Sequence, residues 1–342
     1  MSARITRPDL TFDHLHDLVT VSPQMKRLFE LVRRAARSDA TVLVRGESGT
    51  GKELVAQALH AESNRSERPF RAVNCATFTS ALLASELFGH VKGAFTGAVA
   101  DRMGLLSQAH QGTLFLDEVA ELPLDLQARL LRVLQQRRFT PVGATEEVEV
   151  DVRVISATNA PLRQLVREGR FREDLMYRIR VVVLYLPPLV DREGDLEALT
   201  WHFIDEFNTR HPRKVHAIDR GAWAMMAHYP WPGNIRELRN NLEQAFVLGE
   251  GPVLLSDELA PEVRGLAAPA ASRIAEVDPE PVRAAGVAGV AGDTAPVTLD
   301  DVRRAELLEA FRRTNGHRGK MAEELGISRA TLYRWLKKQG LL

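Results

Sequence analysis

Two short stretches of this sequence have residue types and spacing suited to phosphate chemistry. The first is Gly46-Glu47-Ser48-Gly49-Thr50-Gly51-Lys52-Glu53, which follows the apolar run Thr41–Val44 and opens the helical pattern Glu53–Ser63. Glycines there let successive backbone N–H groups turn inward around phosphate oxygens. The helix N-terminus adds partial positive charge, and Lys52 reaches the outer phosphates of a nucleotide such as ATP. The position after the lysine, where a hydroxyl usually holds Mg2+, is Glu53. Either other groups and waters hold the metal, or hydrolysis is impaired. A glycine-rich turn with no ligand is the duller alternative, and the strand–loop–helix setting counts against it. The second stretch is Gly112-Thr-Leu-Phe-Leu116-Asp117-Glu118, an apolar strand pattern ending in two carboxylates. Asp117 suits holding Mg2+ directly or through water, and Glu118 suits polarising an attacking water. Acidic pairs at strand ends are common, so this pair gains its meaning from the glycine-rich loop.

The elements that must position these groups follow from periodicity. Apolar, β-rich runs at Thr41–Val44, Phe70–Val73, Thr113–Leu116, Val152–Ala157 and Val181–Leu186 alternate with helical patterns. The first helix opens at Ser22-Pro23 and carries Met25, Leu28, Phe29 and Val32 on one face. Strand–helix alternation predicts an α/β fold, a parallel sheet covered on both faces. Residues 1–14 read as a polar tail, 15–188 as the α/β core and 189–264 as a wholly helical lid. Residues 265–296, rich in Ala, Pro and Gly and without hydrophobic period, read as a flexible linker before a last helical unit at 297–342.

Bulk composition narrows the class. The 342 residues are 45% hydrophobic, enough for a real core, and 45 Lys and Arg balance 45 Asp and Glu. That balance argues against blanket nucleic-acid coating but permits a local basic patch. Cys75 is the only cysteine, which excludes an intramolecular disulfide or a zinc cluster. No run approaches the roughly 18 apolar residues of a membrane span, and the expectation is a cytoplasmic protein.

The basic patch lies at the C-terminus, where residues 297–342 hold ten Lys and Arg against six Asp and Glu, a net charge of +4. Thr298-Leu-Asp-Asp301 is a capping pattern for a helix ending near Gly316. A short helix Lys320–Leu325 meets a bend at Gly326, and Ser328 caps a last helix that stops at Gly340. With Leu332 and Leu336 inward, Arg329, Thr331 and Arg334 point outward toward base edges of a major groove. Lys320, Lys337 and Lys338 suit phosphate contacts. An ordinary three-helix bundle with a basic face is the rival.

The stretch Gly93-Ala94-Phe95-Thr96-Gly97-Ala98 ties these features together. GESGTGKE, ELFGHVKGAFTGA, GTLFLDEV and WPGNIREL, in this order and spacing, resemble the central domain of sigma-54-dependent activators, also called bacterial enhancer-binding proteins, which are AAA+ ATPases. The terminal unit resembles their Fis-type helix-turn-helix. The likeness covers roughly residues 15–250, and the loop at 93–98 is specific to that group. Glu53 fits, because the family's loop also ends in GKE.

The resemblance implies roles for further residues. Gly93 to Ala98, tipped by Phe95 and Thr96, would touch the sigma factor. Asn74 would hold Glu118 away from the catalytic water, and Thr158 and Asn159 would sense the γ-phosphate. Arg172 and Arg178 would be fingers reaching a neighbour's site, and Arg236 a second sensor in the lid. Taken alone, these three arginines read as solvated charges. Two departures stand out: Thr20-Val21 where the family often has a glycine before Ser-Pro, and Val190 where an arginine commonly follows the leucine. The implied activity is ATP hydrolysis with Mg2+ that remodels sigma-54 RNA polymerase from upstream enhancer DNA, in dimers that assemble into a hexameric ring. About twenty residues precede the motor, too few to fold alone. This resembles the stand-alone, phage-shock type, controlled by an inhibitory regulator acting in trans; constitutive activity or a truncated chain fits equally well. A DNA-binding repressor with a vestigial AAA+ domain is the alternative, and an unfoldase or helicase loader a more distant one.

Overall fold

Five apolar runs assemble into one parallel sheet: β1 (Val42–Arg45), β2 (Phe70–Asn74), β3 (Thr113–Asp117), β4 (Arg153–Thr158) and β5 (Val182–Tyr185). Their order across the sheet is β5-β1-β4-β3-β2, every neighbouring pair parallel. The computed structural model describes residues 4–8, 11–95 and 97–266. Contacts divide the chain between Arg273 and Ile274, and all described residues lie in the first unit.

Alternation along each strand sends side chains to opposite faces, and two separate cores result. Val42, Val44, Phe115, Ile155 and Ala157 face α1 (Pro23–Ala36) and α2 (Lys52–Ala61). Leu43, Leu114, Leu116 and Val154 face α3 (Ser80–Phe88), α4 (Leu124–Gln136), α5 (Leu162–Arg167) and α6 (Glu173–Ile179). All six residues of β4 are buried, as expected of a central parallel strand with both faces covered. Burying a side chain such as Phe115 contributes about 1.5–3 kcal/mol. Arg153, at the start of β4, is buried too. Its guanidinium donates to the carbonyls of Ala35 and Ala36 at 2.9 and 3.1 Å, where a cation suits the C-terminal end of α1.

The lid is built on α7 (Asp195–Arg210), α8 (Arg220–His228) and α9 (Asn234–Leu248), packed around Phe203, Ile204, Phe207, Trp231, Leu238, Leu242 and Phe246. The sequence reading of 189–264 as wholly helical needs correction. Ala217–Asp219 and Val253–Leu254 are parallel strands, and Arg4–Thr6 from the expected tail pairs antiparallel with Ala217–Asp219. Strands of two and three residues are too short to show a period, and their partners lie far apart in the chain. Asp13–Leu15 and Leu18–Thr20 form a hairpin between that first strand and α1.

Candidate active site

The loop Gly46–Gly51 joins β1 to α2 at the C-terminal edge of the sheet, where open α/β folds bind ligands. Gly51 precedes α2 with φ 102°, a left-handed conformation natural to glycine. Thr50 Oγ1 donates to the Glu47 carbonyl at 2.8 Å, bracing the turn from within. Lys52 is buried, and its ammonium donates to the Gly46 and Glu47 carbonyls at 3.1 and 3.3 Å. It also lies 3.2 Å from Glu118 Oε1.

Adjacent strand ends bring the carboxylates there. Asn74 and Asp117 stand opposite each other in the β2–β3 register. Asn74 Nδ2 donates to Asp117 Oδ2 at 3.0 Å, and Asn74 Oδ1 accepts from the Ala76 N–H. In this structure Asn74 engages Asp117, while Glu118 turns to Lys52. Either carboxylate suits an amide donor; the backbone decides. Glu118 adopts φ 48°, ψ 51°, which swings its side chain across to Lys52, with Oε2 3.4 Å from Thr158 Oγ1 and from the Asn159 N–H. Burial raises the pKa of Asp117, the negative charge of Glu118 raises it further, and Lys52 opposes both. Two carboxylates against one ammonium leave a site that welcomes a second cation.

These groups line a cleft of about 1000 Å3. Its phosphate-loop end presents Ser48, Gly49, Gly51, Lys52 and Glu53, with Asn74, Asp117 and Glu118 opposite. The cleft is also walled by His14, Leu18 and Val19 from the hairpin, with Leu18 close to Gly51, and by Leu199, His202 and Phe203 from α7. Burial pulls the His202 pKa below its usual value. Arg236 lines the cleft from α9 and donates from Nη1 to Ser48 Oγ at 3.1 Å.

Other sequence candidates lie elsewhere. Arg172 and Arg178 flank or sit in α6, exposed and outside their own chain's cleft. Arg172 forks onto Asp174 at 3.1 and 2.8 Å, and Arg178 Nη2 donates to the Leu134 carbonyl at 2.8 Å. Gly93, Ala94, Phe95, Gly97 and Ala98 are not among the residues lining the cleft. The Gly93 N–H donates to the Ala98 carbonyl at 2.9 Å, and Phe95 is 38% exposed with its ring edge-on to His90. Gly93 and Gly97 have φ 84° and 102°, yet an added Cβ would meet nothing within 4 Å, so the backbone conformation and not space calls for glycine. Thr96 lies outside the described residues, as do Lys320, Ser328, Arg329, Thr331, Arg334, Lys337 and Lys338.

Sequence reasoning missed two lid residues at the loop. Asn234, fully buried with φ 52°, donates from Nδ2 to Glu47 Oε2 and to the Ser48 carbonyl at 3.0 and 3.1 Å. Arg192 donates to the Thr50 carbonyl at 2.7 Å, and burial pushes its pKa down to about 10. Both sat in runs whose other residues drew attention: Arg236 beside Asn234, and Val190 beside Arg192. Val190 itself is exposed, and Arg192 supplies the lid–core contact that the Val190 departure put in doubt.

Comparison with known proteins gives matches along most of the chain. Residues 18–185 match the family model of the sigma-54 interaction domain, 190–274 that of an AAA+ ATPase lid domain, and 298–338 that of bacterial regulatory proteins of the Fis family. The regulatory protein AtoC of Escherichia coli is 43% identical over 331 residues, covering 95% of this chain and 68% of AtoC. The nitrogen fixation protein AnfA of Azotobacter vinelandii is 40% identical over 329 residues, covering 95% of this chain and 58% of AnfA. Among solved structures, NtrX from Brucella abortus in complex with ATP superposes with TM-score 0.66 at 34% identity, over 95% of this chain and 69% of that one.

Proposed function

The chain belongs to the sigma-54-dependent transcriptional activators, whose motor is an AAA+ ATPase, and on that premise we propose how its cleft and its loop at 93–98 are used. It binds and hydrolyses ATP and activates transcription by sigma-54 RNA polymerase from DNA held by its Fis-type domain. The observation that carries the site assignment is Lys52 facing Glu118 at 3.2 Å across the mouth of the phosphate loop. Both groups are in place and satisfy each other until phosphate arrives.

In this reading the backbone N–H groups of Gly46 to Glu53 cradle the phosphates, and Lys52 exchanges Glu118 for a phosphate oxygen. Glu118, released, takes a proton from the water that attacks the γ-phosphoryl group, while Thr158 and Asn159 orient the two. Mg2+, when bound, neutralises phosphate charge. Asp117 would hold it, directly or through water; burial and the negative charge of Glu118 raise the pKa of that carboxyl. Among the described residues there is no cluster of three or more His, Cys, Asp or Glu for a metal. That suits an ion held chiefly by phosphates and water. Arg236 reaches the phosphates from the lid.

Arg172 and Arg178, remote from their own cleft, serve the site of a neighbour in a ring, a hexamer in our reading. A guanidinium delivered from outside neutralises charge as the bond breaks and makes hydrolysis depend on assembly. Hydrolysis then drives Gly93 to Ala98, with Phe95 and Thr96 at the tip, against the sigma factor. We assign the motor to 15–188 and the lid to 189–264, with Arg4–Thr6 added to the lid's sheet. Lys320, Ser328, Arg329, Thr331, Arg334 and Lys338 contact the upstream DNA. No helix among the described residues is long and apolar enough to cross a membrane, and we place the protein in the cytoplasm. An inhibitory regulator acting in trans completes the scheme.

The test is open-complex formation on a supercoiled sigma-54 promoter, read by permanganate footprinting alongside phosphate release. Phe95→Ala keeps ATP hydrolysis within about twofold and loses the open complex. Glu118→Gln keeps ATP binding and loses about 10²–10⁴ in turnover. Wild-type promoter opening by Phe95→Ala would overturn the reading.

A further inference from the structure

The first two carbonyls of the phosphate loop, Gly46 and Glu47, accept from Lys52, and the three that follow need donors of their own. These three find them on the lid side of the chain. The Ser48 carbonyl accepts from Asn234 Nδ2 at 3.1 Å. The Gly49 carbonyl accepts from the Ile235 and Arg236 N–H groups at 3.1 and 3.3 Å. The Thr50 carbonyl accepts from Arg192 Nη2 at 2.7 Å. The contact is close: a Cβ on Gly49 would lie 2.1 Å from the Gly233 carbonyl.

The arrangement satisfies the lid as well. The first N–H groups of any α-helix lack intrahelical partners. At α9 the N-cap Gly233 has no side chain to cap them; Glu237 Oε2 accepts from the Gly233 N–H at 2.8 Å, and the Gly49 carbonyl of the phosphate loop takes the Ile235 and Arg236 N–H groups. Asn234 fastens the joint from a third side, since its Oδ1 accepts from the Leu189 N–H at 2.7 Å, on the segment leading into the lid. Arg192 Nε donates to the Pro187 carbonyl at 3.0 Å on that same segment. Phosphate loop, connecting segment and the start of α9 thus share one hydrogen-bonded unit.

We propose that Asn234 and Arg192 are positioning residues of the phosphate-binding loop, and that through them occupancy of the loop is transmitted to the lid by the loop's own backbone, independently of the Arg236 guanidinium. The inference rests on the ATP-binding reading above. An inward shift of the loop around phosphate carries the Ser48, Gly49 and Thr50 carbonyls with it, and α9 follows its caps. Coupling of this kind is reciprocal: a lid held in place pre-forms the loop.

Asn234→Gly is the informative variant, because glycine keeps the left-handed backbone and removes only the side-chain amide. Arg192→Met removes both donors and keeps buried volume. ATP affinity of the full chain is measured by calorimetry, thermal stability by circular dichroism, and amide exchange of residues 235–242 with and without ATP. The expected result for each variant is a dissociation constant raised about tenfold and loss of ATP-induced protection across the start of α9. Variants that melt lower yet bind ATP with wild-type affinity and keep that protection would reduce both residues to packing and overturn the proposal. Wild-type protein that fails to bind ATP would sink the functional reading itself, whereas wild-type binding with unchanged variants sinks this inference alone.

Discussion

Asp195→Ala is expected to lower the melting temperature by about 14 °C, through a junction that the sequence marks only by Thr20-Val21. Asp195 is fully buried at the first position of α7. Its Oδ1 accepts from Thr20 Oγ1, the Val21 N–H and the Ser22 N–H at 2.7, 2.8 and 3.0 Å, and Thr20 Oγ1 also lies 2.8 Å from Oδ2. Alanine leaves the Thr20 hydroxyl and the Val21 N–H without this acceptor, while the Ser22 N–H keeps Thr20 Oγ1 at 3.0 Å. Two stranded donors at about 1–3 kcal/mol each give about 2–6 kcal/mol. Loss of a carboxylate at a helix N-terminus adds about 0.3–1 kcal/mol. The sum is about 2–7 kcal/mol, and at about 2–4 °C per kcal/mol for a unit of this size the midpoints give the drop stated. Asp195→Asn keeps one acceptor oxygen and loses less, about 1–2 kcal/mol. Thermal melts of Asp195→Ala, Thr20→Val and the double variant close the cycle, with a coupling of about 1–2 kcal/mol expected between contacting groups. An Asp195→Ala protein melting within 2 °C of wild type, or a cycle with no coupling, would refute the reasoning.

Two further expectations concern titration. Asp39 is forked by Arg65 at 3.0 Å on both oxygens, and this hydrogen bonding, opposed by burial and aided by the arginine's charge, holds its carboxyl below 3.8. A folded pKa below the unfolded one gives stability that is complete above the unfolded value and is lost as pH falls through the folded value. The melting difference between wild type and Asp39→Asn should therefore be constant near neutrality and shrink once pH drops below about 4; a difference that persists into stronger acid contradicts it. Cys75 is buried, and burial, reinforced by Asp117, Glu118 and Glu121, pushes its thiol to about 12. Since the thiolate is the reactive species, a disulfide reagent at pH 8 should label it only after unfolding, and rapid stoichiometric labelling of native protein counts against this burial.

The α/β core was legible because its strands are long enough to alternate and apolar enough to demand cover. Val42, Leu43 and Val44, or Leu114, Phe115 and Leu116, carry both the strand and its two faces in three letters. The glycine-rich loop and the strand-end carboxylates were legible for a related reason, since each is contiguous in sequence. What escaped was decided by backbone conformation or by distant partners. Asn74 lies opposite Asp117 only through the β2–β3 register, and the left-handed turn at Glu118 carries the neighbouring carboxylate to Lys52. Nothing in Val215–Asp219 signals a strand until Arg4–Thr6 is laid beside it. Asn234 is one more polar residue in a motif whose arginine takes the attention, and its buried, left-handed geometry has no one-dimensional signature.

Arg4–Thr6 belongs to the lid, α1 to the core, and after β5 the chain returns to the lid. The lid is thus moored by two tethers rather than one, and both are knotted at Asp195, whose carboxylate grips the outbound tether from the first residue past the returning one. Two covalent moorings, together with the bonds from Asn234 and Arg192 to the phosphate loop, hold the lid against sliding and twisting. A single proteolytic nick in either tether would leave the lid hanging from the other.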